Sequence, residues 1–398
     1  MKTKMTFLFM IRYLLVLHLA LVFFSCSDDD RPATIVTSCD DGVQNGNETG
    51  IDCGGSCYDS CVPDNALEGA LVTRRVLVSN IDYKLTGPYI VRDGGTLEIL
   101  AGTKIKAFTD SNAYIAVAQG GQIFIWGNAD NPVVITSDSE NPEAGDWGGL
   151  IICGQAPTNN AINSRSELGD IFYGGTDNET SSGVIRYLRL EYTGALFRDE
   201  KRFNALTFYG VGSFTTVQNI QAYESLGNGF EIFGGRINAT NLVGLNTNLS
   251  GIKISGGWNG TGSSWYLSNQ NKSGIELGNN EFDFSAEPAT SATIDNVTIN
   301  GPLSNSAIHY TYGGGLFNLN NVYTSQIQLG INVNSTTESD MIDNGNLFVN
   351  TIEFDNPLTN FNGSNYNGTT NFYTEGSTNG AGNRSLSPLW AENWTIGF

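Results

Sequence analysis

The fold is decided by residues 206–255, which read LTFYGVGSFTTVQNIQAYESLGNGFEIFGGRINATNLVGLNTNLSGIKIS. In this segment short runs of aromatic and β-branched residues alternate with Gly and Asn clusters, as strands alternate with tight turns. The apolar runs recur every 10 to 13 residues, and they begin at Leu206, Val217, Phe230, Leu242, Ile252, Trp265 and Ile275. This spacing is typical of a β-sandwich or barrel, or of a solenoid with two or three strands in each coil.

The length of the pattern favours the solenoid. It continues from about residue 83 onward, and no linker-like segment interrupts it. That span is large for one sandwich, whereas it would fill about eleven coils of about 22 to 25 residues each. Gly and Asn suit the corners of such coils because they adopt left-handed backbone conformations at low cost. We therefore predict an all-β protein with a parallel β-helix over residues 70–398, with a pair of β-sandwiches as the alternative.

Composition limits the classes of function. Hydrophobic residues make up 40% of the 398 residues, which excludes wholesale disorder, and the formal net charge is −20. An acidic chain is repelled by phosphate backbones and by anionic lipid, so we expect no nucleic-acid partner.

The N-terminal segment has the features of an exported lipoprotein. Residues 1–25 combine a basic start with an apolar run at residues 13–24, which is too short to span a bilayer and predicts a signal peptide. An uncleaved membrane anchor is the alternative. The run ends at Phe23-Phe24-Ser25-Cys26, which resembles a bacterial lipobox. The resemblance implies that Cys26 carries a lipid anchor such as palmitate.

Residues 26–38 are predicted to form an acidic tether. The start of this tether, Ser27-Asp28-Asp29-Asp30, resembles the acidic export tag of lipoproteins from Bacteroidota-type bacteria. The resemblance implies a lipid-anchored position in the outer membrane, facing the cell exterior. The alternative is that these acidic residues only keep the tether solvated.

Residues 39–62 are predicted to be a small cysteine-rich module. An exported protein meets oxidising conditions, so the four cysteines of this segment predict two disulfides; they are Cys39, Cys53, Cys57 and Cys61. Three pairings are compatible with the sequence, and a zinc site is the alternative. Side-chain oxygens that suit calcium come from Asp41, Asn45, Asn47, Glu48 and Asp52. Loop residues that bond their own backbone are the alternative to calcium.

Two resemblances to known proteins cover most of the chain. The cysteine-rich segment resembles a module that lies between the anchor and the main domain of many Bacteroidota surface lipoproteins. Residues 146–152 (DWGGLII), 173–175 (YGG), 184–194 (VIRYLRLEYTG) and 229–235 (GFEIFGG) resemble a family of right-handed β-helix surface lipoproteins over about residues 70–398. This family commonly has an acidic cluster after the Phe-Gly-Gly motif. Residues 245–251 (LNTNLSG) contain no carboxylate here, which implies that any chemistry of that cluster is lost.

Residues able to carry chemistry are scattered along the sequence. The candidate acids are Asp170, Glu191, Glu224, Glu231, Glu276, Glu281, Asp283 and Asp295. Strand alternation would place Glu281 and Asp283 on one face, although a solvated loop is the alternative. His309 is the only histidine after the signal peptide and would suit a general base, but no nucleophile motif accompanies it. Cys153 continues an apolar run and reads as a buried, inert thiol. We predict no catalytic residue and no required cofactor.

Aromatic residues in Gly-rich turns favour ligand binding. Trp258, Trp265 and Tyr266 are predicted to be exposed and to stack on sugar rings, with packing against a neighbouring coil as the alternative. A long polar loop at residues 154–183 is a second candidate for the binding face. We therefore predict a surface-anchored, non-catalytic protein that binds glycan or another surface polymer. The alternatives are a polysaccharide lyase or glycoside hydrolase, and a structural or partner-binding subunit of an outer-membrane assembly.

Overall fold

The computed structural model describes residues 38–39, 43–57, 65–109, 112–302, 306–362, 366, 368 and 370–398. The predicted signal peptide, Cys26 and the acidic residues 27–30 lie outside these ranges, as do Asp41 and Cys61. The chain divides into two compact units, Met1–Asp64 and Asn65–Phe398. Within the described ranges, no helix has the length and apolar character that a membrane crossing requires.

The first unit contains a disulfide between Cys39 and Cys57, which confirms that this segment is cross-linked. Cys53 is disulfide-bonded as well. The Glu48 carboxylate lies within 4.8 Å of the Cys39 and Cys57 sulfurs. Because those two sulfurs are bonded to each other, they offer no thiolates to a zinc ion.

Two of the proposed calcium ligands are used by the loop itself. Asn47 Oδ1 accepts hydrogen bonds from the Ser56 backbone N–H and hydroxyl, at 3.2 and 2.8 Å. Glu48 Oε2 accepts from the backbone N–H of Asn45, at 2.9 Å. These bonds fit the alternative in which the polar side chains stabilise their own turns. Calcium binding stays a prediction.

The second unit is built from short strands. The first strands are β1 Ala66–Leu71, β2 Arg74–Leu77, β3 Tyr83–Val91, β4 Thr96–Leu100, β5 Lys104–Ala107, β6 Tyr114–Val117, β7 Gln122–Trp126, β8 Val133–Ser137, β9 Leu150–Cys153, β10 Ser164–Arg165, β11 Phe172–Tyr173, β12 Gly183–Thr193, β13 Leu196–Arg198 and β14 Lys201–Arg202. The later strands are β15 Leu206–Tyr209, β16 Thr216–Ser225, β17 Phe230–Phe233, β18 Asn238–Thr247, β19 Ile252–Ser255, β20 Thr261–Ser268, β21 Ile275–Leu277, β22 Ser291–Asn300, β23 Ile308–Tyr310, β24 Leu316–Ser325, β25 Leu329–Val333, β26 Leu347–Asp355, β27 Thr359–Asn362 and β28 Tyr373–Glu375. A short α-helix, α1, spans Thr336–Asp343, and a 3₁₀ turn spans Leu389–Ala391.

The strands stack as a right-handed parallel β-helix, as the sequence predicts. Twenty-four of them form one continuous parallel sheet, whereas β10–β11 and β13–β14 are small antiparallel hairpins. Val217 pairs with Ala239, and Ala239 with Gly262, so successive coils here advance by 22 and 23 residues. This spacing confirms the predicted coil length.

Left-handed residues form the corners. A column of them bends the long strands of successive coils, and its members are Tyr187, Asn219, Asn241, Ser264, Asn296, Asn321 and Thr351. The predicted use of Asn at corners is confirmed at four of these positions. Tyr187 and Thr351 adopt the same conformation although their side chains disfavour it. The stacking of each coil on the next therefore imposes the bend where the local sequence does not.

Apolar side chains stack in the interior. Phe208, Ile232, Ile254 and Leu277 occupy one such column in register, and each is at most 1% exposed. Burial of an aliphatic or aromatic side chain of this size contributes about 1.5–3 kcal/mol, and the column repeats through the coils. The core therefore runs along the helix axis, and outward-facing side chains are free to form a site.

Two insertions extend from coils on the same side of the helix. Residues 154–182 follow β9 and contain the β10–β11 hairpin, so the predicted long loop is present and carries structure of its own. Residues 278–290 follow β21 and form a second insertion that the sequence did not reveal. Both follow strands of the column that runs through β9, β15, β17, β19 and β21. The two insertions can therefore meet above that column.

Candidate functional site

A row of polar side chains crosses the outer face of this column. Thr207, Glu231, Lys253, Glu276 and His309 are register partners on β15, β17, β19, β21 and β23. Their neighbours along each strand point into the core, so strand alternation turns this row outward. The stacking of coils brings together residues that lie far apart in the sequence.

Lys253 and Glu231 form the central ion pair of the row. Lys253 Nζ lies 3.2 Å from Glu231 Oε1, and Asn204 Nδ2 donates to Glu231 Oε2 at 2.7 Å. Lys253 also lies over the Tyr312 ring, 5.5 Å from its centroid. The Glu231 carboxylate raises the pKa of Lys253 above its ordinary value, although burial acts in the opposite direction. The ion pair therefore favours the protonated form of Lys253 at neutral pH.

Glu276 and His309 continue the row beneath the surface. Burial opposes ionisation of Glu276, yet Lys272 at 2.8 Å and the Ser250 hydroxyl at 2.5 Å hold the pKa of this carboxyl below its ordinary value. Burial lowers the pKa of His309, against the attraction of the Glu276 carboxylate. Glu276 is thus a fixed charge and His309 a mostly neutral, buried ring.

A cleft of about 180 Å³ opens above the ion pair. Its lining combines aromatic, amide and charged side chains, namely Asn160, Arg165, Glu167, Tyr173, Tyr209, Glu231, Phe233, Lys253, Ser255, Asn280, Glu281, Phe282 and Tyr312. Tyr173 and Tyr209 stack with their ring centroids 4.8 Å apart, and the Phe233 ring lies 5.8 Å from each. Phe282 stands at the rim with 93% of its surface exposed. The cleft therefore has an aromatic wall, a charged floor and an aromatic rim.

Burial also keeps Tyr209, in the aromatic wall, uncharged. Desolvation, together with the Glu231 carboxylate, raises the pKa of Tyr209 well above its ordinary value. A neutral phenol can donate or accept hydrogen bonds, but it cannot act as a base near neutral pH.

The two insertions are tied together by amide side chains, which we call the asparagine clasp (Asn159, Asn160, Asn279 and Asn280). Asn159 Nδ2 donates to Asn279 Oδ1, and Asn280 Nδ2 donates to Asn159 Oδ1, both at 3.0 Å. Asn280 Oδ1 accepts from the backbone N–H of Phe282 at 2.9 Å. Because Asn159, Asn279 and Asn280 are buried and satisfied, the clasp fixes the loop that presents Phe282.

Only three of the eight candidate acids contribute to this region. Glu231 and Glu276 belong to the polar row, and Glu281 lines the cleft. The expectation that Glu281 and Asp283 share a strand face is wrong, because residues 278–290 are a loop and both side chains are exposed. The other acids bond elsewhere: Asp170 pairs with Arg92, Glu191 with Arg189, Glu224 accepts from Asn246, and Asp295 accepts from Asn320.

The predicted sugar-stacking residues are not available to a ligand. Trp258 and Trp265 are completely buried, and Tyr266 is 3% exposed, so their expected exposure is wrong. Trp258 Nε1 donates to the Ile237 carbonyl and Trp265 Nε1 to the Ala239 carbonyl, both at 3.1 Å. A Cβ on Gly262 would lie 2.2 Å from the Trp265 ring. The neighbouring glycine therefore makes room for an inward-facing indole and does not mark an exposed turn.

Sequence reasoning missed most of the cleft. Tyr209, Phe233 and Ser255 occupy register-equivalent positions of β15, β17 and β19, two residues after Thr207, Glu231 and Lys253. Aligning the strands at the coil spacing and reading every second residue would have placed these side chains on one face. Cys153 also belongs to the column; its predicted burial is confirmed, and this burial raises the pKa of the thiol.

The chain matches a known protein family over most of its length. A family model described as a pectate-lyase-like β-helix domain matches residues 69–395. Among solved structures, the chain is similar to the catalytic domain of a GH87 α-1,3-glucanase in complex with nigerose, with 11% identity, a TM-score of 0.35, and coverage of 74% of this chain and 63% of that one. A variant of that domain in complex with tetrasaccharides matches with 12% identity and a TM-score of 0.35, over 76% of this chain and 63% of that chain. The chain thus spans less than two thirds of these structures. No curated protein gives a significant match.

Proposed function

The chain belongs to the family of pectate-lyase-like β-helix domains, and from this premise we propose that its cleft binds a glycan without cleaving it. The observation that carries the proposal is the exposed Phe282 ring at the rim of a cleft with an aromatic wall. The Tyr173 and Tyr209 rings are only 4% and 8% exposed and pack on each other, so they support this wall and do not themselves offer a free stacking face. An exposed aromatic ring at the mouth of a cleft is available to stack on a ligand.

The chemistry of the lining suits a sugar. Aromatic faces stack on the apolar C–H faces of pyranose rings, and amide and carboxylate groups bond the hydroxyls that project sideways. Asn160, Ser255 and Glu281 supply such polar groups beside the aromatic wall. The asparagine clasp holds this arrangement in place before a ligand arrives, which reduces the entropic cost of binding.

The protonation states of Lys253 and Tyr209 argue against a lyase that uses either side chain as its base. Lys253 is held in its protonated form by Glu231, and Tyr209 is held neutral by burial. A lyase needs a group that can accept a proton from the sugar, and neither side chain fits that task near neutral pH.

One observation favours glycoside hydrolysis as a second candidate. Glu231 and Glu281 line the same cleft in different environments, because Glu231 is buried in an ion pair and Glu281 is exposed. Glycosidases usually act through two catalytic carboxyl groups that lie in contrasting environments. Formation of new reducing ends from any glycan that the protein binds would support this candidate over simple binding.

Phe282→Ala is expected to weaken glycan binding by roughly tenfold, the loss that one stacking contact and its buried area predict. The measurement is isothermal titration with the best-bound oligosaccharide from an array of plant, fungal and bacterial glycans. Phe214→Ala is the matched control, since Phe214 is 64% exposed and lies outside the cleft lining. Equal affinities for the Phe282→Ala variant and the parent would place the binding site elsewhere.

We further propose that the protein is anchored in the outer membrane through a lipid on Cys26, with the Asp28–Asp30 segment directing it to the exterior. The lipobox-like residues 23–26 support this proposal. Cys26→Ser is expected to move the protein from the membrane fraction to the soluble fraction, which fractionation and metabolic labelling with a palmitate analogue would measure. Labelling of the variant at the parental level would contradict the anchor.

A further inference from the structure

The charges of the cleft point to the class of glycan that it accepts. Its lining contains three carboxylates, on Glu167, Glu231 and Glu281, and two cationic groups, on Arg165 and Lys253. Glu231 is paired with Lys253, and Glu167 with Lys201, so the carboxylate of the lining that has no ion pair with a described residue is that of Glu281. The whole chain has a formal net charge of −20. This carboxylate and the net charge both act against the approach of a polyanion.

Both cations of the lining already have contacts, but only Lys253 is neutralised by an ion pair. Lys253 is paired with Glu231 at 3.2 Å. Arg165 Nη1 donates to the Gly169 carbonyl at 2.8 Å, and its guanidinium lies over the Phe172 ring, 5.0 Å from the centroid. A ligand carboxylate would have to displace Glu231 before it paired with Lys253, whereas at Arg165 it would find the N–H groups that the Gly169 carbonyl leaves unused.

A free carboxylate stands at the rim, next to the exposed aromatic ring. Glu281 directly precedes Phe282, is exposed, and forms no ion pair with any residue in the described ranges. A hexuronate ring stacked on Phe282 would bring its own carboxylate close to Glu281. Like charges at such a distance repel, more strongly at low salt than at high salt.

We infer that the cleft selects glycans without carboxylate or sulfate groups and disfavours polyuronates. This inference rests on the proposed function, because it names the ligand class of the same cleft. The hydroxyls of an uncharged sugar can bond Glu281 and Asn160 as acceptors and donors without paying a charge penalty.

The test compares probes of equal length on the full chain. Hexamers of glucose, mannose, galactose and xylose are titrated alongside hexamers of galacturonate and guluronate, in EDTA or in calcium, at about 20 mM and about 200 mM salt. We expect at least one uncharged hexamer to bind at least about tenfold tighter than either hexuronate at low salt, with a smaller ratio at high salt.

Two variants test whether the selectivity depends on the charge inside the cleft or on the net charge of the whole chain. Glu281→Lys is expected to reduce the preference for uncharged hexamers by about tenfold at low salt. Glu140→Lys makes the same change in net charge at an exposed residue outside the cleft lining, and it is expected to leave the preference as it is. An equal change in both variants would show that the cleft charges do not select the ligand.

The remaining outcomes distinguish this inference from the proposed function. A hexuronate that binds tightest, with or without calcium, overturns the inference and leaves glycan binding intact. Binding that needs calcium would show that the cleft carboxylates hold a metal bridge to an anionic sugar. The absence of binding to every hexamer and to every array glycan overturns the proposed function itself.

Discussion

Replacing Trp265 with alanine is expected to lower the free energy of unfolding by about 3–5 kcal/mol, the range for a large aromatic side chain removed from a core. The Trp265 side chain is completely buried, stacks beside Trp258 with ring centroids 6.5 Å apart, and donates to the Ala239 carbonyl. The substitution leaves both a cavity and a carbonyl without its donor. Urea denaturation followed by tryptophan fluorescence and circular dichroism would measure the loss.

Trp126→Ala is the matched control for this prediction. Trp126 is 38% exposed at the end of β7 and contacts the Phe124 ring, so its loss is expected to cost less than about 1 kcal/mol. A Trp265→Ala variant as stable as the Trp126→Ala variant would show that Trp265 lies at the surface, and would restore it as a candidate for sugar stacking.

Replacing Lys253 with methionine is expected to destabilise the protein by about 3 kcal/mol, because it leaves the buried Glu231 carboxylate without its cation. Lys253 has 23% of its side chain exposed and Glu231 11%, so water compensates little of the loss. The pKa of Lys253 is higher in the folded protein than in the unfolded chain, where it is about 10.4. The contribution of the lysine to the free energy of unfolding is therefore fully present below about pH 10.4, and it is lost only as the pH rises through the folded pKa. The expected cost is therefore the same at pH 6 and pH 8.

A double variant shows whether Lys253→Met destabilises the protein because it leaves a buried charge unpaired or because it removes side-chain packing. Glu231→Gln together with Lys253→Met removes both charges and keeps similar volumes, so it is expected to regain most of the stability that the single variant loses. Chemical denaturation of the parent, both single variants and the double variant would give the coupling free energy. A double variant no more stable than Lys253→Met would mean that the lysine acts through its stem and not through its charge.

The asparagine clasp shows why the sequence did not predict that the two insertions contact each other. Asn159 and Asn279 are 120 residues apart in the chain and 3.0 Å apart in space. Each lies in a polar, turn-rich segment, and loop composition carries no information on which loop meets which. Their contact follows from the stacking register of the strands that precede them, β9 and β21, which only the folded coils establish.

The sequence by itself determined the class of fold, the coil length of 22 and 23 residues and the asparagine corners, because each of these depends on local periodicity or on backbone preference. It also predicted the long insertion after β9 and the cross-linked cysteine segment. The tertiary structure alone decided which outward side chains share a face, and so assembled Glu231, Lys253 and the stacked tyrosines into one cleft. It likewise turned Trp258 and Trp265 inward, since neighbouring glycines leave space that a ring can fill from either side of a strand. Burial depends on what stacks above and below, and a single chain segment does not contain that information.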